Sequence, residues 1–172
     1  MARYALIRNG SIAEFREADR GSPAHKLAAD GGPMLRPVID PGPPSCNAAL
    51  EAVSQIIEIT PEAVTVVYTV ARRPLAEQQQ AIKAECQRRI IALTGTTDLM
   101  DCIIKQSNAN MRANEFNDKR SNGDVLTQAE EAEAVALRGL ADAIKALRAK
   151  SNEIEAISPI PADFDADASW SA

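Results

Sequence analysis

The sequence has few of the side chains that build a large hydrophobic core. Of its 172 residues, only one Trp, two Tyr and three Phe are aromatic, whereas 31 residues are Ala. Because Ala buries little apolar surface, a chain of this composition is weakly stabilised as an isolated domain. We therefore expect part of its surface to be buried against copies of itself or against another protein.

The chain is equally poor in residues that catalyse reactions or bind metals. It has a single histidine, His25, and three cysteines that lie far apart, Cys46, Cys86 and Cys102. A structural metal site needs several ligands, and a nucleophile needs a base that a third group orients. Glycine-rich phosphate loops and the GxSxG motif are also missing from the sequence. We expect no enzyme activity, no metal, no cofactor and three free thiols in a reducing compartment.

Long apolar runs and a basic stripe are missing as well. No run approaches the roughly 18–20 residues that span a bilayer, and the opening MARYALIRNG is too short and too charged for a secretory signal. We expect neither membrane insertion nor export. The net charge is −5, and residues 151–172 hold five acidic residues and no Lys or Arg. Residues 1–150 are therefore neutral, which does not favour a nucleic-acid partner.

The first part of the chain has the pattern of a small sheet. In residues 3–16, the dipeptide Asn9-Gly10 separates two short apolar runs, which is typical of a hairpin with a type I′ turn. Residues 55–60 and 63–70 are rich in β-branched side chains, and the second run alternates with period two. These two segments predict a second hairpin.

A predicted loop separates the two hairpins, and the period of the hydrophobic pattern changes after the second hairpin. Residues 20–48 contain six prolines and four glycines, so they predict a loop in which Leu35–Ile39 could be an edge strand. From Pro74 the period changes from two residues to 3.6, which predicts a helical region over residues 74–157. The fold class is therefore α+β. A small antiparallel sheet of two hairpins over residues 1–73 precedes a mainly helical region, either a helical hairpin or a coiled coil.

Three helices are expected in this region. The first begins at Pro74 and ends at Gly95, with Arg88 and Arg89 near the negative pole of its dipole. The second runs from about residue 98 to residue 117. Its proposed packing stripe combines apolar and amide residues: Leu99, Met100, Ile103, Ile104, Gln106, Asn110 and Ala113. The amides form either a solvated face or a seam between chains. The third helix begins with a capping box at Thr127.

The third helix carries a heptad-like series of large apolar residues. They recur mostly in steps of three and four over about three heptads, with Ser151 interrupting the series. The residues are Leu137, Leu140, Ile144, Leu147 and Ile154. They can form the seam of a self-associating coiled coil, or they can pack against the two preceding helices. The two arrangements can coexist.

The last segment, residues 158–172, is an acidic tail that contains Phe164 and Trp170. One interpretation is a solvated, frayed end. The other is a docking segment whose aromatic side chains enter a pocket on a neighbouring protein. Our hypothesis is docking, because a Trp exposed to water contributes nothing to folding.

Several short motifs occur in order along the chain. They are RYALIRNGSI near the start, LRPV, YTVARRPL at the end of the second hairpin, CQRRI in the first helix, IKALRAKSNEIEAI in the third, and Trp170 after a Pro-rich segment. In this order they resemble tail-associated proteins of tailed bacteriophages, a group of tail-fibre, baseplate-appendage and fibre-assembly proteins. The sequence has no receptor-binding repeats and no collagen-like or β-helical shaft, so the resemblance does not extend to a full-length receptor-binding fibre.

The resemblance implies a structural virion protein without catalytic residues. The chain would be a short tail fibre, a fibre adaptor or a baseplate-associated protein, made in the host bacterial cytoplasm. Its partners would be other tail or baseplate proteins and further copies of itself, with a homotrimer favoured. One alternative is a tail-fibre assembly chaperone. Another is a small non-catalytic regulatory or ligand-binding module.

Overall fold

A computed structural model describes residues 2–18 and 34–171, which divide into two compact units, Met1–Arg72 and Arg73–Ala172. The first unit contains all the described strands, and the second contains all the described helices. The predicted α+β class, with a sheet before a helical region, is confirmed. Residues 20–33 of the loop predicted for residues 20–48 lie outside the described residues.

The first unit is one five-stranded sheet. Its strands are β1 (Ala2–Arg8), β2 (Ser11–Ala18), β3 (Met34–Ile39), β4 (Glu51–Ile59) and β5 (Val64–Arg72). They lie in the order β2-β1-β3-β5-β4. Both predicted hairpins are confirmed, as β1 with β2 and β4 with β5. Asn9 and Gly10 have φ angles of 51° and 77°, and a type I′ turn needs positive φ at both positions.

The segment predicted as a possible edge strand is a central strand. β3 lies between β1 and β5, antiparallel to β1 and parallel to β5. The sheet is therefore mixed, and β3 joins the two hairpins into one sheet. Pro37 is compatible with this position because β3 pairs with β5 only at Val38 and Ile39, beyond the proline.

A small apolar cluster lies in the middle of the sheet. Ala5, Ile7 and Val64 are buried, and Ile12 and Val38 pack against them. This cluster involves β1, β2, β3 and β5, whereas β4 is exposed along nearly its whole length. The outermost strand on that side therefore adds little to the core.

The second unit contains three helices and a short 3₁₀ turn. Their bounds are α1 (Leu75–Thr94), α2 (Leu99–Ser121), α3 (Gln128–Glu155) and the 3₁₀ turn Asp167–Trp170. Gly95 ends α1 in the left-handed conformation with φ 64°. Thr127 and Glu130 form the predicted capping box at the start of α3. None of the described helices combines the length and the apolar character needed to cross a membrane.

The helix bounds differ slightly from those expected. Pro74 occupies the N-cap position just before α1 and is not part of its first turn. α2 continues past residue 117 to Ser121, and Asp98 begins it by accepting a hydrogen bond of 2.9 Å from the Asp101 backbone N–H. The carboxylate of Asp98 thus satisfies a free N–H group at the start of α2.

Candidate functional site

Some residues of the predicted α3 seam are buried within their own unit. Ile144 and Ile154 are buried, and the Leu147 carbonyl accepts a hydrogen bond of 3.6 Å from Cys86 Sγ of α1. Ser151 interrupts the apolar series in the sequence, yet it is buried on the same stripe, four residues after Leu147. Part of the predicted seam is therefore already buried within its own unit.

A groove of about 320 Å³ remains between α2 and α3. The seam residues Leu137, Leu140 and Ile144 line its α3 side, and Ala113 and Phe116 line its α2 side. Leu137 and Leu140 are only half-buried. The groove is thus the place where the predicted seam remains accessible to another molecule.

Polar and positively charged groups surround this apolar lining. Amides from α2 contribute to it, namely Gln106, Asn110 and Asn117. Arg120, Arg138 and Arg148 also line the groove, and the described lining residues include no carboxylate. Arg120 is paired with Glu131 at 2.7 Å. The groove therefore favours an apolar partner that carries negative charge.

Ion pairs hold α2 and α3 together near the loop that joins them. Arg112 Nε binds Glu133 Oε1 at 3.1 Å, and Lys119 Nζ binds Glu130 Oε1 at 2.5 Å. The hydrogen bond from Lys119, together with those from Thr127, lowers the pKa of Glu130 to about 2. These contacts fix one end of the helix pair.

The first turns of α2 leave their largest apolar side chains exposed. Leu99, Met100, Ile103 and Ile104 are between 45% and 66% exposed. The expected packing stripe is wrong for these four residues, whereas Gln106 and Ala113 of the same stripe are partly buried. α2 packs through these two residues together with Cys102, Ala109 and Phe116.

A second groove, of about 260 Å³, lies between α1 and α2. Leu99 and Ile103 line it, as do Gln106 and Arg148, which also line the first groove. The exposed start of α2 is therefore continuous with the α2–α3 groove.

Cys86 lines the second groove. Burial raises the pKa of its thiol, which keeps this sulfur protonated and weakly nucleophilic at neutral pH.

The acidic tail folds back onto its own unit. Phe164 and Trp170 are both buried, and Trp170 Nε1 donates a hydrogen bond of 2.6 Å to the Phe164 carbonyl. Arg89 of α1 donates to the Asp167 carboxylate at 2.9 Å and to the Asp165 carbonyl at 2.7 Å. Its guanidinium carbon lies 5.1 Å from the centre of the Trp170 ring. The two aromatics expected to dock on a neighbour pack inside the chain instead.

The sequence contains only a partial signal for this contact. Arg88 and Arg89 were expected near the negative pole of the α1 dipole, but the last turn of α1, which ends at Thr94, holds no basic residue. In the structure, Arg88 binds Glu85 at 2.6 Å, and this hydrogen bond is the main cause that lowers the pKa of Glu85. Arg89 reaches the tail as well, a contact that depends on residues more than 70 positions away.

Within residues 2–18 and 34–171, no group of three or more His, Cys, Asp or Glu side chains could hold a metal ion. Comparison of the chain with models of known protein families, with curated proteins and with solved structures finds no match. The exposed apolar residues of α2 and the groove beside them are the features of the described residues that indicate a function.

Proposed function

We propose that the chain is a non-catalytic structural component of a bacteriophage tail, acting by assembly with copies of itself and with other tail proteins. It would be a short tail fibre, a fibre adaptor or a baseplate-associated protein. The observation that carries the proposal is the uncovered apolar start of α2, from Leu99 to Ile104. Contiguous apolar surface of this kind on a folded protein marks an interaction site.

A comparison of burial free energies with the cost of association indicates a contact larger than the apolar start of α2 alone. Full burial of a large apolar side chain is worth about 1.5–3 kcal/mol relative to full exposure. Covering four side chains that are already half-buried would contribute roughly 3–6 kcal/mol on the same scale. Association itself costs roughly 4–15 kcal/mol. The α2–α3 groove must therefore contribute to a stable contact.

Self-association through the helical unit is the form of assembly that we propose. Leu137 and Leu140 are half-buried and line the groove, so apolar side chains of a second copy can contact them there. A trimer is favoured by the resemblance to fibre proteins, because a mixed Leu and Ile pattern does not by itself select the number of chains.

Quantitative mass spectrometry of purified particles tests this proposal. In particles of the phage that encodes the chain, we expect it at a fixed copy number relative to the major tail protein. Its absence, or a variable trace amount, would contradict a structural role. A fibre-assembly chaperone would then be expected on fibres in lysates of infected cells, but not in finished particles.

One observation favours the alternative of a small ligand-binding module. Pockets for small molecules have volumes of about 300–1,000 Å³, and the groove of about 320 Å³ is lined by amides and arginines that could orient an anion. A regulator that binds such a ligand would be missing from both particles and fibres. Analysis of particles together with fibres from lysates therefore separates the three functions.

A further inference from the structure

The two edges of the sheet in the first unit differ in chemistry. β2, at one edge, contains the charged residues Glu14, Arg16 and Glu17. β4, at the other edge, has nine residues without Pro, Lys or Arg. Proteins usually protect an edge strand with charged side chains or proline, because unpaired backbone groups there bind other strands. β2 has three charged residues, whereas β4 has two, Glu51 and Glu58, among four large apolar ones, so β4 is the less protected edge.

β4 is also unusually apolar for an exposed strand. Val53, Ile56, Ile57 and Ile59 are between 36% and 56% exposed. Among the described strands, β4 pairs with β5 and with no other. A long, exposed, apolar edge of this kind is a site where another strand adds to the sheet.

The direction of the free backbone groups follows from the hairpin. The N–H of Thr60 donates to the Ala63 carbonyl at 2.9 Å, so this pair is hydrogen-bonded. Hydrogen-bonded and non-hydrogen-bonded pairs alternate along an antiparallel ladder. The even-numbered residues of β4 therefore bond to β5, and Val53, Gln55, Ile57 and Ile59 present their N–H and C=O groups to the open edge. Glu51 is excluded, because its N–H donates to the Asn47 carbonyl at 2.8 Å.

The side chains of the odd-numbered residues extend the apolar face of the sheet. Ile57 is opposite Val66 and Ile59 is opposite Val64 on β5. Val64 and Val66 are both buried. A strand added beside β4 would continue this face and cover Ile57 and Ile59.

We infer that β4 pairs antiparallel with β4 of a second copy, about a two-fold axis at Gln55. In this register the seven residues 52–58 are paired, more than an axis at any other outward-facing residue allows. Val53 lies opposite Ile57, and the acidic residue Glu58 lies opposite an alanine. Like charges are never directly opposite, and the central glutamines can hydrogen-bond to each other.

The strand is thus complementary to itself, which is why we choose a second copy as the occupant. β2 of a second copy is a poorer occupant of this edge, because its charged residues would face the apolar side chains of β4. This inference concerns the sheet unit and does not depend on a bacteriophage setting or on contacts of the helices.

Disulfide trapping in the full-length chain tests the pairing and its register. The background variant is Cys46→Ser, because Cys86 and Cys102 are buried and Cys46 is not. In this background, Gln55→Cys places two thiols on residues whose Cα atoms are about 5.5 Å apart in a hydrogen-bonded pair. That separation suits a disulfide. We expect mild oxidation to convert most of the Gln55→Cys protein to a covalent dimer on a non-reducing gel.

The register supplies matched controls. Val53→Cys alone should remain monomeric on the gel, because residue 53 faces residue 57 of the second copy. An equal mixture of Val53→Cys and Ile57→Cys should form the mixed dimer. Glu14→Cys, on the better protected edge, should not cross-link.

Two results would overturn the inference. If Gln55→Cys stays monomeric while its circular dichroism matches that of the background, a second copy does not occupy the edge. A different protein could then add the strand, or β4 could stay uncovered. If Val53→Cys or Glu14→Cys cross-links as fast as Gln55→Cys, the disulfides arise from random collision. Presence or absence of the chain in particles would be unaffected by either result.

Discussion

Arg89 connects α1 to the C-terminal tail through a single guanidinium group. It binds Glu85 at 2.7 Å and Asp167 at 2.9 Å, and it lies against the Trp170 ring. Its side chain is only 14% exposed. Charge-assisted hydrogen bonds in such a site are stronger than those of exposed pairs, and losing one partner leaves the others unsatisfied.

We predict that Arg89→Met loosens the tail. The free energy of unfolding of the helical unit should fall by about 1–3 kcal/mol, because Glu85, whose side chain is only 12% exposed, loses a largely buried partner. The emission of Trp170, the only tryptophan in the chain, should shift towards that of an indole in water. Urea titration followed by this fluorescence measures both effects.

Arg88→Met is the matched control for this change. Arg88 also binds Glu85, but its side chain is 62% exposed, so its loss should leave the free energy of unfolding close to that of wild type. Its substitution should leave the emission of Trp170 in place. Equal effects of the two substitutions would show that the tail is not held by Arg89.

At the scale of single elements, the start of α3 should respond to acid. Hydrogen bonds lower the pKa of Glu130 from 4.5 to about 2 in the folded chain. The unfolded chain therefore binds this proton first as the pH falls. The stabilisation by Glu130 is complete above about pH 4.5 and is lost as the pH falls towards 2.

We predict that Glu130→Gln reduces the acid sensitivity of the helical unit. The variant should be less stable than wild type at neutral pH, and its free energy of unfolding should decrease less between pH 5 and pH 2. Urea titrations at several pH values measure the difference. Glu153→Gln, near the other end of α3, is the control for a lost carboxylate. If Glu130→Gln loses as much stability in acid as wild type does, the ion pair with Lys119 has no such role.

The elements differ in how far the sequence predicts them. The end of α1 and the start of α3 were predictable because Gly95 and the Thr127 capping box act within a few residues. The buried side of α2 was not, because Leu99 and Ile103 lie next to Cys102 on the helix surface, and tertiary packing decides which of them are buried. The central place of β3 also depends on strands distant in the sequence.

On the scale of the whole molecule, composition was the most informative property of the sequence. Few large apolar residues predicted a chain that leaves surface to be covered, and both units have exposed apolar side chains on α2 and on β4. The sequence did not predict which surfaces these are. The tail illustrates the same limit, because its aromatic residues were identified correctly as buried but were assigned to a neighbouring protein.

The central claim is that the exposed start of α2 is covered when copies of the chain associate. Sedimentation velocity of the full-length protein over a range of concentrations tests it most directly, with wild type compared to the double variant Ile103→Gln and Ile104→Gln. Both isoleucines are about half exposed, so the variant should fold normally. Val125→Gln is the control, because Val125 is 93% exposed in the loop before α3.

We predict that wild type and Val125→Gln sediment as the same oligomer and that the double variant sediments as a smaller species. Removing two half-buried isoleucines from a contact is worth about 1.5–3 kcal/mol, which weakens that contact by about tenfold to a hundredfold. The claim would be contradicted if wild type sediments as an 18.4 kDa monomer at every concentration, or if the double variant associates as strongly as wild type.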